Sequence, residues 1–196
     1  KGPGQVQIKS GPDKGIFEAK RIVIATGSKP LSPQGIEIDE KTIISSSGAL
    51  TLSKVPKRLL VIGAGYIGIE MATVWSRLGA KVEVIDALPN ILNGMDGEIV
   101  SKFKSILKKQ GITFTLGSSL KQIKENKSGL MATIFDEKNS KESKIGCDIL
   151  LVAIGRQPNT ENLGIESLGI IKTEMGHIDV DEKFETNIPG IFAIVM

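Results

Sequence analysis

The run Leu59-Leu60-Val61-Ile62-Gly63-Ala64-Gly65-Tyr66-Ile67-Gly68-Ile69-Glu70 constrains the fold more than any other part of this chain. An apolar stretch leads into three glycines spaced Gly-x-Gly-x-x-Gly, and apolar residues at helical spacing follow. Such a run predicts a buried strand, a tight turn and the first turn of a helix. Each glycine has its own task. Gly63 permits the turn, Gly65 lets a pyrophosphate approach the backbone, and Gly68 lets the helix pack closely on the strand. The helix start then offers free N–H groups and a partial positive charge to the phosphates.

Glycine-rich turns are common, so the motif gains its weight from context. Apolar spacing continues from Ile67 to Leu78 and stops at Gly79, a C-capping residue. Val82-Glu83-Val84-Ile85-Asp86 then reads as a second strand ending in a carboxylate. Asp86 follows Gly65 by 21 residues, close to the roughly 20 expected for an acid that holds the adenosine ribose. A carboxylate there accepts hydrogen bonds from ribose hydroxyls and repels a 2′-phosphate. The next residues, Ala87-Leu88-Pro89-Asn90, bring no Arg or Lys to neutralise one. The pattern therefore predicts NAD(H) in preference to NADP(H). The competing reading is an ordinary βαβ crossover without a ligand, and the complete strand–turn–helix–strand–acid order argues against it.

Composition excludes other classes. A net charge of +3 spread over 196 residues gives no basic patch for nucleic acid. The Lys-rich region 121–144 alternates Lys with Glu, Asp, Asn and Ser, as a solvated hairpin face does. No apolar run reaches the roughly 18 residues of a membrane span. One cysteine excludes an internal disulfide. Cys147 reads as a semi-buried structural thiol. His177, the one histidine, lies in a turn-like Met175-Gly176-His177 and is expected to face solvent. No metal site is expected from these two residues.

Along the chain, a strand near Gln5–Ser10 and a turn at 11–15 precede a buried strand Arg21–Thr26. A helix is expected over Gly97–Gln110, with Ile99, Val100, Phe103, Ile106 and Leu107 on one face. A strand Ile112–Leu116, a hairpin of Leu120–Lys124 with Leu130–Phe135, and a buried strand Asp148–Ile154 complete the pattern. The start, Lys1-Gly2-Pro3-Gly4, and the apolar end, Pro189 to Met196, suggest a piece of a longer protein.

With these residues placed, the chain resembles the lipoamide dehydrogenases among the flavin disulfide reductases. The likeness runs through Ile24-Ala25-Thr26-Gly27-Ser28, Ser45-Ser46-Ser47-Gly48-Ala49-Leu50 and the glycine loop. It continues through Val74-Trp75-Ser76-Arg77-Leu78-Gly79-Ala80, Lys108-Lys109-Gln110-Gly111 and Ile154-Gly155-Arg156-Gln157-Pro158-Asn159. The Pro189–Ile194 run is similar to the family strand before a flavin-binding Gly-Asp, where this chain has Val195-Met196.

The resemblance implies an α/β fold: a Rossmann-like three-layer NAD-binding domain over 46–158, with a parallel sheet plus an antiparallel hairpin or meander. Segments 1–45 and 159–196 would be partial FAD-domain pieces. It implies that Gly63, Ala64, Gly65, Tyr66, Ile67, Gly68, Ile69 and Glu70 hold the NAD pyrophosphate, with Glu70 toward the nicotinamide. Asp86 would bind the ribose where the family usually has Glu. Leu120 would line the adenine pocket, and Gly155 would approach the nicotinamide side. Gly4, Thr26, Gly27 and Ser28 would contact FAD. An alternative reads Glu70 as a first-turn acid; Tyr66 reads as a gate or as loop packing, Trp75 as core or interface, and Arg156 as a flavin-domain contact or the partner of a surface acid.

The parent enzyme implied is a homodimer that oxidises dihydrolipoamide on the lipoyl domains of 2-oxo acid dehydrogenase complexes. It works in the bacterial cytoplasm or the mitochondrial matrix. The family's redox pair Cys-x4-Cys is absent from this sequence, and no catalytic residue is assigned in it. Two thiols are needed for dithiol–disulfide exchange, so this chain is expected to bind nucleotide but not to turn over alone. Other readings are an NADH oxidase, a soluble transhydrogenase, or a non-catalytic NAD-binding module.

Overall fold

The structure, a computed structural model, describes residues 4–194. Lys1–Pro3 and the Val195-Met196 departure therefore lie outside the described residues. The chain divides into two compact units, residues 4–29 with 156–194, and Pro30–Gly155. The second unit takes in residues 30–45.

In chain order the first strands are β1 (Gln5–Ile8), β2 (Gly15–Glu18), β3 (Ile22–Ile24) and β4 (Ser28–Pro30). The second unit holds β5 (Ile43–Ile44), α1 (Ser46–Thr51), β6 (Arg58–Ile62), α2 (Tyr66–Arg77), β7 (Lys81–Asp86), α3 (Gly97–Lys109) and β8 (Thr113–Leu116). It continues with β9 (Ser118–Asn126), β10 (Gly129–Asp136), β11 (Lys141–Cys147) and β12 (Ile149–Val152). After β13 (Arg156–Pro158) and a short 3₁₀ turn, β14 (Ile191–Ala193) closes the first unit.

The second unit is built on a five-stranded parallel sheet in the order β5-β12-β6-β7-β8. Its strands are apolar on both faces, because both faces are covered. In β6, Leu59 and Val61 join Ile69, Ala72 and Trp75 of α2 and Val100 and Leu107 of α3 in one core. Leu60 and Ile62, one residue out of phase, join Leu130, Ala132 and Ile134 of β10 in a second core. The period of two in a strand thus separates a helical layer from an antiparallel layer, β11-β10-β9. The unit has three layers: helices, parallel sheet and meander.

Several details differ from expectation. β11 adds a third strand to the hairpin of β9 and β10, a meander as the resemblance allows, although no strand was expected over its residues. Its sequence, Lys141-Glu142-Ser143-Lys144-Ile145-Gly146-Cys147, is exposed over its first four residues, so it shows no buried alternation. β2 pairs antiparallel with β1, where only a turn was read. In α3, Val100 and Leu107 are buried, but Ile99 and Ile106 face solvent at 67% and 50% exposure. The apolar stripe is therefore narrower than the sequence implied. Asp96 caps α3 by accepting from the Glu98 and Ile99 N–H groups. Arg58 fixes the far end of the sheet. Its guanidinium donates to Asp148 Oδ1 at 2.7 Å and to Ser128 O at 2.9 Å, and its N–H donates to Asp148 Oδ2.

In the first unit, β14 pairs parallel with β3. Ile191 and Ala193 share a small core with Ile165, Ile170 and Ile178. Of the apolar run that ends the sequence, Ile191 and Ala193 are buried there, whereas Ile194 is 51% exposed.

Candidate dinucleotide-binding site

The carboxyl ends of β6, β7 and β12 converge on the glycine loop. Gly63 leaves β6 at φ 101°, a left-handed conformation that glycine adopts freely. A Cβ on Gly63 would lie 2.3 Å from Ala153 O, so the turn lies directly against the chain leaving β12. A Cβ on Gly68 would meet the carbonyl oxygen of Gly63. Gly68 is thus the close contact between helix and strand. Gly65 differs: a Cβ there would meet nothing within 4 Å. Two glycines are enforced by the protein's own packing, whereas the third leaves open space of the kind an approaching ligand group uses.

Gly65 is also the N-cap of α2, and no side chain caps that terminus. A helix start with no side-chain partner presents its first N–H groups and about half a positive charge outward. Tyr66, 65% exposed, begins α2 at this rim. Glu70 is exposed in the second turn, and the first turn contains no acid. Its reading as a first-turn acid is therefore corrected. Ile69 is buried in the core and positions the helix, and Ile67 is half-buried. Trp75 is core.

Asp86 ends β7 beside the loop. Its Oδ2 accepts from Ala64 N at 2.6 Å and its Oδ1 from Leu88 N at 2.8 Å. Leu92 N donates to Ala64 O at 2.8 Å. Both polar groups of the buried Ala64 peptide position are thereby held from the β7–α3 connection. Leu88 and Leu92 carry no signal in the sequence, because both act through backbone N–H groups. Gly155 lies two residues beyond Ala153, at φ 142°, and its carbonyl accepts from Leu31 N. Leu120 is on β9, packed against the core beneath the meander. A cavity of about 240 Å³ lies beside this site, lined by Asn90, Leu92, Asn93, Met95, Ser101 and Lys104 among others. None of the glycine-loop residues lines it.

Of the four residues assigned to flavin, Thr26, Gly27 and Ser28 form one turn after β3. Thr26 Oγ1 donates to Asn159 O at 2.6 Å, and Asn159 N donates to Gly27 O. Arg156 donates to Ser28 Oγ and Ser28 O. Its partner is therefore this turn and not a surface acid. Gly4 opens the β1–β2 hairpin, its carbonyl accepting from Ala19 N. Among the described residues, no hydrogen bond joins it to that turn.

Cys147 is buried, and burial pushes its thiol up to about 12. His177 is half-buried. Among the described residues no group of three His, Cys, Asp or Glu is placed to hold a metal ion. Among the described residues no helix is long and apolar enough to cross a membrane.

A glycine turn at the carboxyl ends of a parallel sheet, an uncapped helix start and an acid at the next strand end form the crevice at which open α/β sheets place their ligands. Residues 1–194 match the family described as pyridine nucleotide-disulphide oxidoreductase. The chain belongs to that family.

Among its relatives, dihydrolipoyl dehydrogenase 1, mitochondrial, of Arabidopsis thaliana is 43% identical over 91% of this chain and 35% of its own length. The dihydrolipoamide dehydrogenase of Chaetomium thermophilum is 45% identical, covering 95% and 37%. The mitochondrial enzyme of Bos taurus is 46% identical, covering 91% and 36%. This chain thus spans little more than a third of these relatives. A solved structure of the flavoprotein disulfide reductase RclA from Escherichia coli, a Cu(II) complex, superposes at TM-score 0.86 with 28% identity. The match covers 98% of this chain and 43% of that one.

Proposed function

We propose that this chain is the NAD-binding portion of a dihydrolipoyl dehydrogenase, with segments of an FAD-binding domain on either side of it. The observation that carries the reading is the open Gly65 at an uncapped helix start, with Asp86 beside it, in a chain more than 40% identical to enzymes of that name. In the whole protein, protein-bound dihydrolipoamide is oxidised through a redox disulfide and FAD, and NAD+ is reduced. The lipoyl domains of 2-oxo acid dehydrogenase complexes are its partners, and a homodimer its assembly.

Within this division of labour the chain's residues bind and orient. Gly65 admits the pyrophosphate, and the free N–H groups of α2 donate to its oxygens. Asp86 accepts from the adenosine ribose hydroxyls and disfavours a 2′-phosphate by charge repulsion. Glu70 sits a turn along α2, on the nicotinamide side. Thr26, Gly27 and Ser28, held by Asn159 and Arg156, face FAD. The flavin, when bound, relays the hydride.

The chain has one thiol, so it supplies no dithiol chemistry. Incubation of the purified chain with dihydrolipoamide, FAD and NAD+ is expected to yield no NADH. Sustained NADH formation by this chain alone would contradict the assignment.

A further inference from the structure

We infer that Asp86 is a positioning residue for the pyrophosphate loop, in addition to any contact with ribose. This rests on the dinucleotide reading and deepens it.

An ionised carboxylate has two oxygens and accepts only. Asp86 spends one oxygen on Ala64 N–H at 2.6 Å and the other on Leu88 N–H at 2.8 Å. The first of these bonds reaches across from β7 into the glycine turn, between residues 22 apart in sequence. Ala64 is 1% exposed, so its N–H has no water to turn to if the carboxylate leaves, and an unpaired buried donor is costly. Leu92 N–H holds the carbonyl of the same residue at 2.8 Å, and Leu92 sits at φ 50° to do so. Ala64 lies between the two glycines of the turn. Gripping both its polar groups fixes the direction in which Gly65 N–H and the start of α2 point.

The shorter Asp fits this duty. Its carboxylate stays close to the backbone at the strand end, where Ala64 N–H and Leu88 N–H are both in reach. The loop is thus shaped by the protein before dinucleotide arrives, which lowers the ordering cost of binding.

Asp86→Asn is the natural substitution. It keeps the shape, but its amide has one acceptor atom, so one of the two N–H groups faces a donor. The probes are NADH and its analogue lacking the adenosine 2′- and 3′-hydroxyls. If Asp86 works through the ribose alone, the substitution weakens NADH but leaves the dideoxy analogue untouched. Positioning predicts that the analogue also binds several-fold more weakly to the variant. Equal affinity of the analogue for both proteins would overturn the proposal.

A second measurement needs neither variant nor ligand. In the unliganded wild-type chain, the Ala64 amide is expected to exchange with solvent at least tenfold more slowly than the Gly65 amide. Equal exchange of the two would overturn the clamp. Protected Ala64 in a chain that binds no NADH would instead leave the clamp standing and remove the dinucleotide reading.

Discussion

At the scale of single residues, the three loop glycines separate packing from binding. Gly68→Ala places a methyl against Gly63 O, and Gly63→Ala adds a left-handed backbone to a clash with Ala153 O. Each is expected to destabilise the unit by about 2 kcal/mol or more in denaturant titrations. Gly65→Ala meets no atom and has φ −71°, so its stability should change by less than about 1 kcal/mol. Its NADH affinity should nevertheless fall at least tenfold, about 1.4 kcal/mol. A Gly65→Ala protein that binds like wild type would mean that no ligand group occupies that space. Cys147 offers a second check. With a buried thiol held near 12, there is little thiolate at neutral pH. Labelling by a thiol reagent at pH 7 should be slow in the folded chain and complete once it is unfolded.

At the scale of elements, electrostatics are concentrated where turns meet strands. Asp39 precedes β5 and accepts from the Lys41, Thr42 and Ile43 N–H groups. Burial works against its charge, but these bonds, with the Thr42 hydroxyl, outweigh it and hold the carboxyl at about 2. Burial also opposes the charge on Asp148, yet the hydrogen bonds and charge of Arg58 keep it below the usual carboxylate range. Both groups have folded values below their unfolded ones. Their stabilisation is fully present above about pH 4 and is lost as pH falls toward 2. Denaturant midpoints measured from pH 6 to pH 2 should fall through that window, and less steeply in Asp39→Asn.

The elements also differ in how legible they were. β6, α2 and β7 carried their period and their glycines in the sequence, and each formed within a residue or two of expectation. Helix α3 was legible in extent, but its stripe was overcounted, because Ile99 and Ile106 flank the buried side. β11 was invisible. A strand whose first four side chains face solvent is specified by pairing with β10, which lies outside its own sequence. The same limit applied to the site. Gly63, Gly65, Gly68 and Asp86 are side-chain signals, whereas the N–H groups of Leu88 and Leu92 are available from any residue but proline.

At the scale of the whole molecule, one unit carries a complete three-layer core, and the other joins the two ends of the chain through β3 and β14. The pairing gives Ile191–Ala193 of the apolar carboxyl-terminal run a partner strand and buries Ile191 and Ala193. The NADH candidates all lie in the unit Pro30–Gly155, and the FAD candidates in the other. NADH binding is therefore expected to survive substitution of Thr26 or Ser28, and isothermal titration of such variants checks this.

The most direct measurement is calorimetric titration of the folded chain with NADH and, separately, NADPH. Saturable one-site NADH binding, with NADPH at least tenfold weaker, is the predicted result. A folded chain that takes neither nucleotide, or takes NADPH as tightly as NADH, would contradict the central claim.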